Sequence, residues 1–232
     1  MIKYIFLDLD DTILDFHRSE AVALKKTLQA LNVDPTDEVI ARYSAINLAH
    51  WQALERRELT REQVLIGRFR QLFEELSMNV SPNVAQSLYE KNLSQSHFFM
   101  DGAPRLLLKL FGKYELYIAS NGTTVVQKNR IASSGIARYF KGIFLSQELN
   151  ADKPQIEFFE RATRGIEGYD PRQAIILGDS LTSDIQGGIN AGMHTCWFNP
   201  RHRERGSITP EFEITDLAEF DTVLQKLNEK QI

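Results

Sequence analysis

Carboxylates crowd the start of the chain: Asp8, Asp10 and Asp11, with Thr12 following directly. Two carboxylates about 4 Å apart repel by roughly 4 kcal/mol at an effective dielectric near 20. That is equivalent to about three pKa units. Such crowding is tolerable when a cation neutralises one acid and another holds a proton. A metal-bound carboxylate nucleophile beside an acid/base suits phosphoryl transfer. A calcium loop would need alternating oxygen ligands over about twelve residues, a central Gly and a terminal Glu. The residues after Thr12 do not supply that pattern. The plainer alternative is a capped helix start at Asp10-Asp11-Thr12.

The acids must be held by something rigid. Tyr4 to Leu7 are consecutive apolar residues, the pattern of a strand buried on both faces in a parallel sheet. In open α/β sheets ligands bind beyond the carboxyl ends of the strands. The acids therefore stand where a phosphate, a metal or both would sit. From Asp101 the chain alternates between helix and strand. Strands are expected at Leu116–Ala119, Gly142–Leu145, Ala174–Leu177 and Thr195–Phe198, with a closing helix over Asp216–Lys226. This rhythm implies a parallel sheet with right-handed crossovers.

Between the first strand and Asp101 no strand pattern occurs. Ala21, Leu24, Leu28 and Leu31 recur at helical spacing. A second helix is expected over about residues 37–57, with Ile40, Tyr43, Asn47, Trp51 and Leu54 on one face. Thr60 with Gln63 is a capping-box signal opening a helix to about Leu76, and Ser81-Pro82 opens another to about Ser94.

Other predicted strand ends carry chemistry too. Ser120 offers a hydroxyl, and the Ser120–Gly122 backbone offers N–H groups ahead of a helix, a phosphate cradle. The plainer alternative is a helix cap by Ser120 or Thr123. Lys153 could neutralise a phosphate, although in isolation it reads as a solvated loop lysine. Gly178-Asp179, with Asp184 five residues on, can point two carboxylates back at Asp8. Oxygen ligands of this kind favour a hard cation, Mg2+ above all. Asp179 could equally be a helix N-cap.

At 232 residues, 43% hydrophobic and 25% charged, the chain has ordinary globular composition. Net charge is −4, and only Arg201-His202-Arg203-Glu204-Arg205 is locally basic, so no nucleic-acid polymer is expected as a partner. The single cysteine, Cys196, excludes an intrachain disulfide and reads as an inert core residue. The N-terminal apolar stretch is too short for a signal peptide. No apolar run approaches the ~18 residues of a membrane span. A cytoplasmic, reduced protein without a membrane partner is expected, as a monomer or homodimer.

Asp8-x-Asp10-x-Thr12, Ser120, Lys153 and Gly178-Asp179-x4-Asp184 together resemble the four motifs of the haloacid dehalogenase superfamily of phosphohydrolases, in order and spacing over almost the whole chain. The helical insertion resembles that superfamily's C1-type cap. The resemblance implies an α/β fold: a Rossmann-like parallel-sheet core, residues 1–15 and 96–232, with an inserted helical cap, residues 16–95. It implies Mg2+-dependent phosphoryl transfer, with Asp8 as nucleophile and Asp10 as acid/base. Mg2+ would be held by the Asp8 carboxylate, the Asp10 backbone carbonyl and Asp179. Asp184 would support metal-bound water or Lys153. Ser120, Asn121 and Lys153 would hold the phosphoryl oxygens, and Thr12 would brace the loop. The superfamily's Lys-Pro-Asp-Pro run is Lys153-Pro154-Gln155-Ile156 here, which keeps the lysine.

Asn47, Trp51 and the Arg68-Phe69-x-x-Leu72-Phe73 run make the cap similar to that of pyrimidine-type 5′-nucleotidases. The substrate implied is a small phosphorylated metabolite, a nucleotide, with Asn47, Trp51 and Arg68 as contacts and Phe16, beside His17, at the entrance. Packing between helices is the plainer role for Trp51, and a surface salt bridge for Arg68. Among rival functions, a haloalkanoate dehalogenase has no use for Asp10 or Mg2+. A sugar-phosphate phosphatase or phosphomutase would share all the motifs. A receiver domain would carry its acceptor Asp on a middle strand and lack the insertion.

Overall fold

The computed structural model describes residues 1–229. Residues 230–232, the end of the expected core segment, lie outside the described residues. The strands are β1 (Tyr4–Leu7), β2 (Glu115–Ser120), β3 (Gly142–Leu145), β4 (Ala174–Gly178), β5 (His194–Phe198) and β6 (Phe212–Ile214). They form one sheet in the order β3-β2-β1-β4-β5-β6, with every pairing parallel.

The unbroken apolar run of β1 has a simple cause. Ile5 and Leu7 enter one core layer, with Leu106, Leu107, Phe220 and Leu224. Tyr4 and Phe6 enter the opposite layer, with Phe158 and Phe159. Alternate side chains point to opposite faces, so a strand covered on both faces must be apolar throughout. The covering helices are α5 (Ala103–Leu110), α6 (Thr124–Ser134), α7 (Ser146–Leu149), α8 (Ile156–Thr163), α9 (Gln186–Asn190) and α10 (Phe220–Glu229). From β1 the chain runs outward to β2 and β3, then crosses back to β4 on the other side. That reversal opens a crevice at the carboxyl end of β1.

The insertion is helical, as expected: α1 (Phe16–Ala30), α2 (Asp37–Glu55), α3 (Arg61–Glu75) and α4 (Pro82–Leu93). It has a core of its own, in which Leu24, Leu28, Tyr43, Phe69, Phe73 and Tyr89 pack together. Asp15 caps α1, and Thr60 with Gln63 forms the anticipated capping box on α3. The connections into and out of this module lie side by side. Asp15 N donates to Phe98 O at 2.8 Å, and Met100 N donates to Ile13 O at 3.0 Å. No helix among the described residues is long and apolar enough to cross a membrane.

β6, α7 and the wide turn after β4 are among the elements that the sequence pattern does not announce. β6 is a three-residue edge strand in which only Ile214 is buried, too short for a periodic signal. The helix expected after β4 begins instead as a π-turn, Leu181–Ile185, before α9. Ile185 N reaches back to Ser180 O at 3.1 Å, so the first turn is wide. Such π-turns occur frequently at functional sites. Asp184 lies in this one.

Candidate active site

Three of the four candidate motifs sit where a strand ends, and the fourth lies past a short helix that follows one. Asp8 follows β1, Ser120 ends β2, Lys153 follows β3 and α7, and Asp179 follows β4. The parallel sheet thus gathers residues from distant parts of the chain into one crevice.

Lys153 is not the solvated lysine that its local sequence suggests, being 1% exposed. Its Nζ donates to Asp8 Oδ1 at 2.7 Å, to Asp184 Oδ1 at 2.6 Å and to the Ala119 carbonyl at 2.5 Å. A buried ammonium persists only with partners of this kind. Burial would lower its pKa, but the Asp184 and Asp8 carboxylates overcome this and raise it, so the lysine is charged. Asp184 Oδ2 accepts from Ser180 N at 3.0 Å. Gly178 is required for this arrangement, because a Cβ there would collide with the Asp184 carboxylate.

Burial raises the pKa of Asp8 well above the usual carboxylate range. Lys153 opposes the shift, whereas Asp184, Asp10 and Asp179 add to it. Asp179 is pushed up to about 7 by burial and by Asp11 and Asp184, against the pull of Arg203. Arg203 Nη2 donates to Asp179 Oδ2 at 3.1 Å and to its carbonyl oxygen at 2.6 Å. One carboxylate oxygen from each of Asp8, Asp179 and Asp184 lies within 4.8 Å of the others. This hard-oxygen donor set, three carboxylates against the two cations Lys153 and Arg203, fits Mg2+. Asp8 and Asp179 are the side-chain ligands anticipated from the sequence; Asp184 stands in the same cluster.

Asp10 turns aside from that cluster. Its Oδ1 pairs with Arg130 Nη1, and its Oδ2 accepts from Gln127 Nε2 at 2.7 Å. Ser120 Oγ accepts from Gly122 N at 3.1 Å and from Gln127 Nε2 at 2.8 Å, which leaves its own proton to donate.

Some of the expected residues have other partners here. The Asn121 side chain is engaged with Lys153: Nδ2 donates to Lys153 O and Oδ1 accepts from Lys153 N, both at 2.9 Å. It zips the two loops together. Thr12 is fully buried, and its hydroxyl has no partner among the described residues. Asp11 braces the loop instead, its Oδ1 accepting from Phe16 N at 3.0 Å and His17 N at 3.2 Å. Its backbone is left-handed, with φ 53°, a conformation in which Asp is enriched.

Opposite the acids, the helical module closes a cleft of about 650 Å3. Phe16, Leu48 and Trp51 supply apolar wall. Arg68 is buried, not on the surface, and turns inward. It donates from Nη1 to Asn47 Oδ1 at 2.7 Å and from Nη2 to Gln86 Oε1 at 2.8 Å. Asn47 Nδ2 donates to Glu20 Oε1 at 2.7 Å. Asn47 and Arg68 therefore line the cleft with much of their hydrogen-bonding capacity used on each other and on their neighbours. Trp51 is partly exposed to the cleft, with the Arg61 guanidinium 5.4 Å from its ring centre.

Sequence reasoning missed Gln127, Arg130, Arg61 and Arg203. The first two share a face of α6 with no motif to mark them. Arg61 follows the Thr60 cap, and Arg203 lies in the basic run around Arg201, but neither segment carries a pattern that marks a role in the site.

A protein-family model described as haloacid dehalogenase-like hydrolase matches residues 4–198. The crystal structure of the HAD-hydrolase YfnB of Bacillus subtilis, bound to magnesium, superposes with a TM-score of 0.92 at 35% identity, over 96% of this chain and 98% of that one. Pyrimidine 5′-nucleotidase PynA of Streptococcus pneumoniae is 34% identical, over 97% of this chain and 95% of its own. Pyrimidine 5′-nucleotidase YjjG of Escherichia coli is 30% identical, over 96% and 98%. With the sheet order, the acidic crevice and these matches in agreement, the chain belongs to the haloacid dehalogenase-like hydrolases and is an enzyme of their phosphatase kind.

Proposed function

We propose that the protein is a Mg2+-dependent phosphomonoesterase working through an aspartyl-phosphate, and that its substrates are nucleoside 5′-monophosphates, pyrimidine ones first. The observation that carries the chemistry is the pairing of Asp8 with Asp10 at the end of β1. Asp8 is held by Lys153 at one oxygen, and its other oxygen attacks phosphorus. The phosphorus–oxygen bond to the alcohol breaks, and Asp10 protonates the departing oxygen. Asp10 then takes a proton from water as that water attacks the aspartyl-phosphate, which releases orthophosphate and restores Asp8. Lys153, the Ser120 hydroxyl and the backbone N–H groups after it stabilise charge on the transferring oxygens. Asp8, the Asp10 carbonyl and Asp179, with Asp184 beside them, would hold Mg2+. The ion supplies neutralisation of the phosphoryl charge.

Specificity rests with the helical module acting as a cap over the core. A cleft of about 650 Å3 falls within the range of small-molecule sites. Trp51 gives it a flat face, and stacking a base on an aromatic ring is worth about 1–3 kcal/mol. The names of PynA and YjjG support a pyrimidine base there. The test is a panel of phosphate monoesters with Mg2+, sugar phosphates and sugar bisphosphates included. UMP, CMP and dTMP should show the highest kcat/KM; faster turnover of any sugar phosphate would overturn the nucleotide reading.

A further inference from the structure

Arg130 is a large charged side chain that the chemistry above does not use, and it is wholly buried. The acid it pairs with is Asp10. Its Nε donates to Ser96 O at 3.0 Å and its Nη1 also donates to Gln127 Oε1 at 3.0 Å. Gln127 is itself buried, and lies three residues earlier on α6, so both side chains leave the same face of that helix. The Gln127 amide cannot be turned over. Its Nε2 faces two acceptors, Asp10 Oδ2 and Ser120 Oγ, while its Oε1 faces the Arg130 donor. Reversal would set an oxygen against a carboxylate and an amide hydrogen against a guanidinium. Room for this amide depends on Gly122, where a Cβ would strike the Gln127 side chain.

We propose that Arg130 and Gln127 are positioning residues for Asp10: they grip both of its oxygens, fix the plane of its carboxylate, and tie it through Ser120 to the phosphate loop. An aspartate side chain otherwise has several rotamers open to it, and few of them set an oxygen beside the leaving group. The bracket removes that freedom before substrate arrives, and preorganisation of this kind is a large part of what a catalytic site supplies. Ser120 and Asp10 share one amide nitrogen, so the group that holds the phosphoryl oxygen and the group that protonates the ester oxygen keep a set separation. The inference rests on Asp10 being the acid/base.

The experiment compares Arg130→Met, Arg130→Lys and Gln127→Leu with the parent enzyme on two esters. One is an alkyl phosphate, whose leaving oxygen needs a proton; the other is p-nitrophenyl phosphate, whose leaving group is a weak base. Each substitution is also made in an Asp10→Asn background, and every variant is checked by thermal melting. A positioning role predicts that kcat on the alkyl ester falls at least tenfold further than on the aryl ester, with KM nearly unchanged. Arg130→Lys should recover part of the loss, and the selectivity should vanish in the Asp10→Asn background. Equal losses on both esters in a folded variant, or a selective loss that persists without Asp10, would overturn the proposal. Should Arg130→Met not fold, Gln127→Leu decides by the same criterion. If Asp10→Asn alone shows no leaving-group selectivity, the acid assignment falls and the bracket falls with it. If Asp10→Asn is selective while the Arg130 and Gln127 variants are not, the bracket alone is wrong.

Discussion

Arg61, at the first position of α3, donates from Nη1 to the main-chain carbonyl of Asn121 at 2.8 Å. From Nη2 it reaches Ser146 Oγ at 2.6 Å and pairs with Asp152, the neighbour of Lys153. One side chain of the helical module thus holds both core loops that Asn121 zips together. Its backbone is fixed by the Thr60–Gln63 capping box, so the guanidinium is presented from a rigid point.

Arg61→Ala should therefore impair phosphoryl handling, although Arg61 touches none of the groups assigned to the chemistry. Hydrogen bonds to charged groups are worth about 1.5–3 kcal/mol. We expect kcat/KM to fall by roughly tenfold or more, since tenfold corresponds to about 1.4 kcal/mol. The loss should be similar on nucleotides and on p-nitrophenyl phosphate, because both use the same loops. Steady-state kinetics on the two substrates checks this; wild-type values on both would make Arg61 a dispensable surface tie.

Asp8→Asn should abolish turnover and leave the protein folded. The amide keeps the shape of the side chain but is a poor nucleophile and a poor cation ligand. Removing one buried carboxylate beside Asp184, Asp10 and Asp179 relieves repulsion, so thermal stability without metal should not collapse. Substantial hydrolysis by a folded variant would take the nucleophile role from Asp8.

EDTA should abolish activity, and Mg2+ should restore it. Ca2+ should inhibit, because its larger and looser coordination shell misaligns the attacking oxygen. Binding can be followed apart from turnover: Mg2+ should raise the melting temperature of the parent protein and have less effect on Asp179→Asn. Full activity in EDTA would bring the dehalogenase reading forward.

Trp51→Ala separates recognition from chemistry. It should lower kcat/KM for a pyrimidine nucleotide by about tenfold, within the ~1–3 kcal/mol of a stacked base, and affect p-nitrophenyl phosphate much less. If both substrates suffer alike, Trp51 serves packing and the platform for Arg61.

Glu55 ties the end of α2 to the π-turn, accepting from Thr182 Oγ1 at 2.7 Å. Burial pushes its pKa up to about 7, against the Thr182 hydrogen bond. A carboxyl with a raised folded-state pKa binds more protons folded than unfolded. Its contribution is fully present below about pH 4 and is lost as pH rises through about 7. Without metal, Glu55→Gln should match the parent protein in denaturant unfolding at pH 4. At pH 8 it should be more stable, by on the order of 1 kcal/mol. A stabilisation independent of pH would show that Glu55 is ionised throughout this range.

The sequence by itself determined the fold class, and for a physical reason: strand and helix periodicities are local. The apolar run of β1, the Thr60–Gln63 box and the alternation after Asp101 all announce themselves within a few residues. It also determined which residue types end the strands, hence Asp8, Ser120 and Asp179 as candidates with Lys153 in the loop beyond α7, because a parallel sheet collects strand ends and the loops after them on one edge. The partners of those residues belong to the tertiary structure alone. Arg130 reaches Asp10 across 120 positions and Lys153 reaches Asp8 across 145, and no local pattern records such a pairing. Asn121 and Arg68 show the converse. Their types suited phosphate and base, yet packing turned the Asn121 amide toward the Lys153 backbone and Arg68 toward Asn47 and Gln86. A buried hydrogen-bonding group takes whichever partner lies within about 3 Å, and only the folded chain decides which one that is.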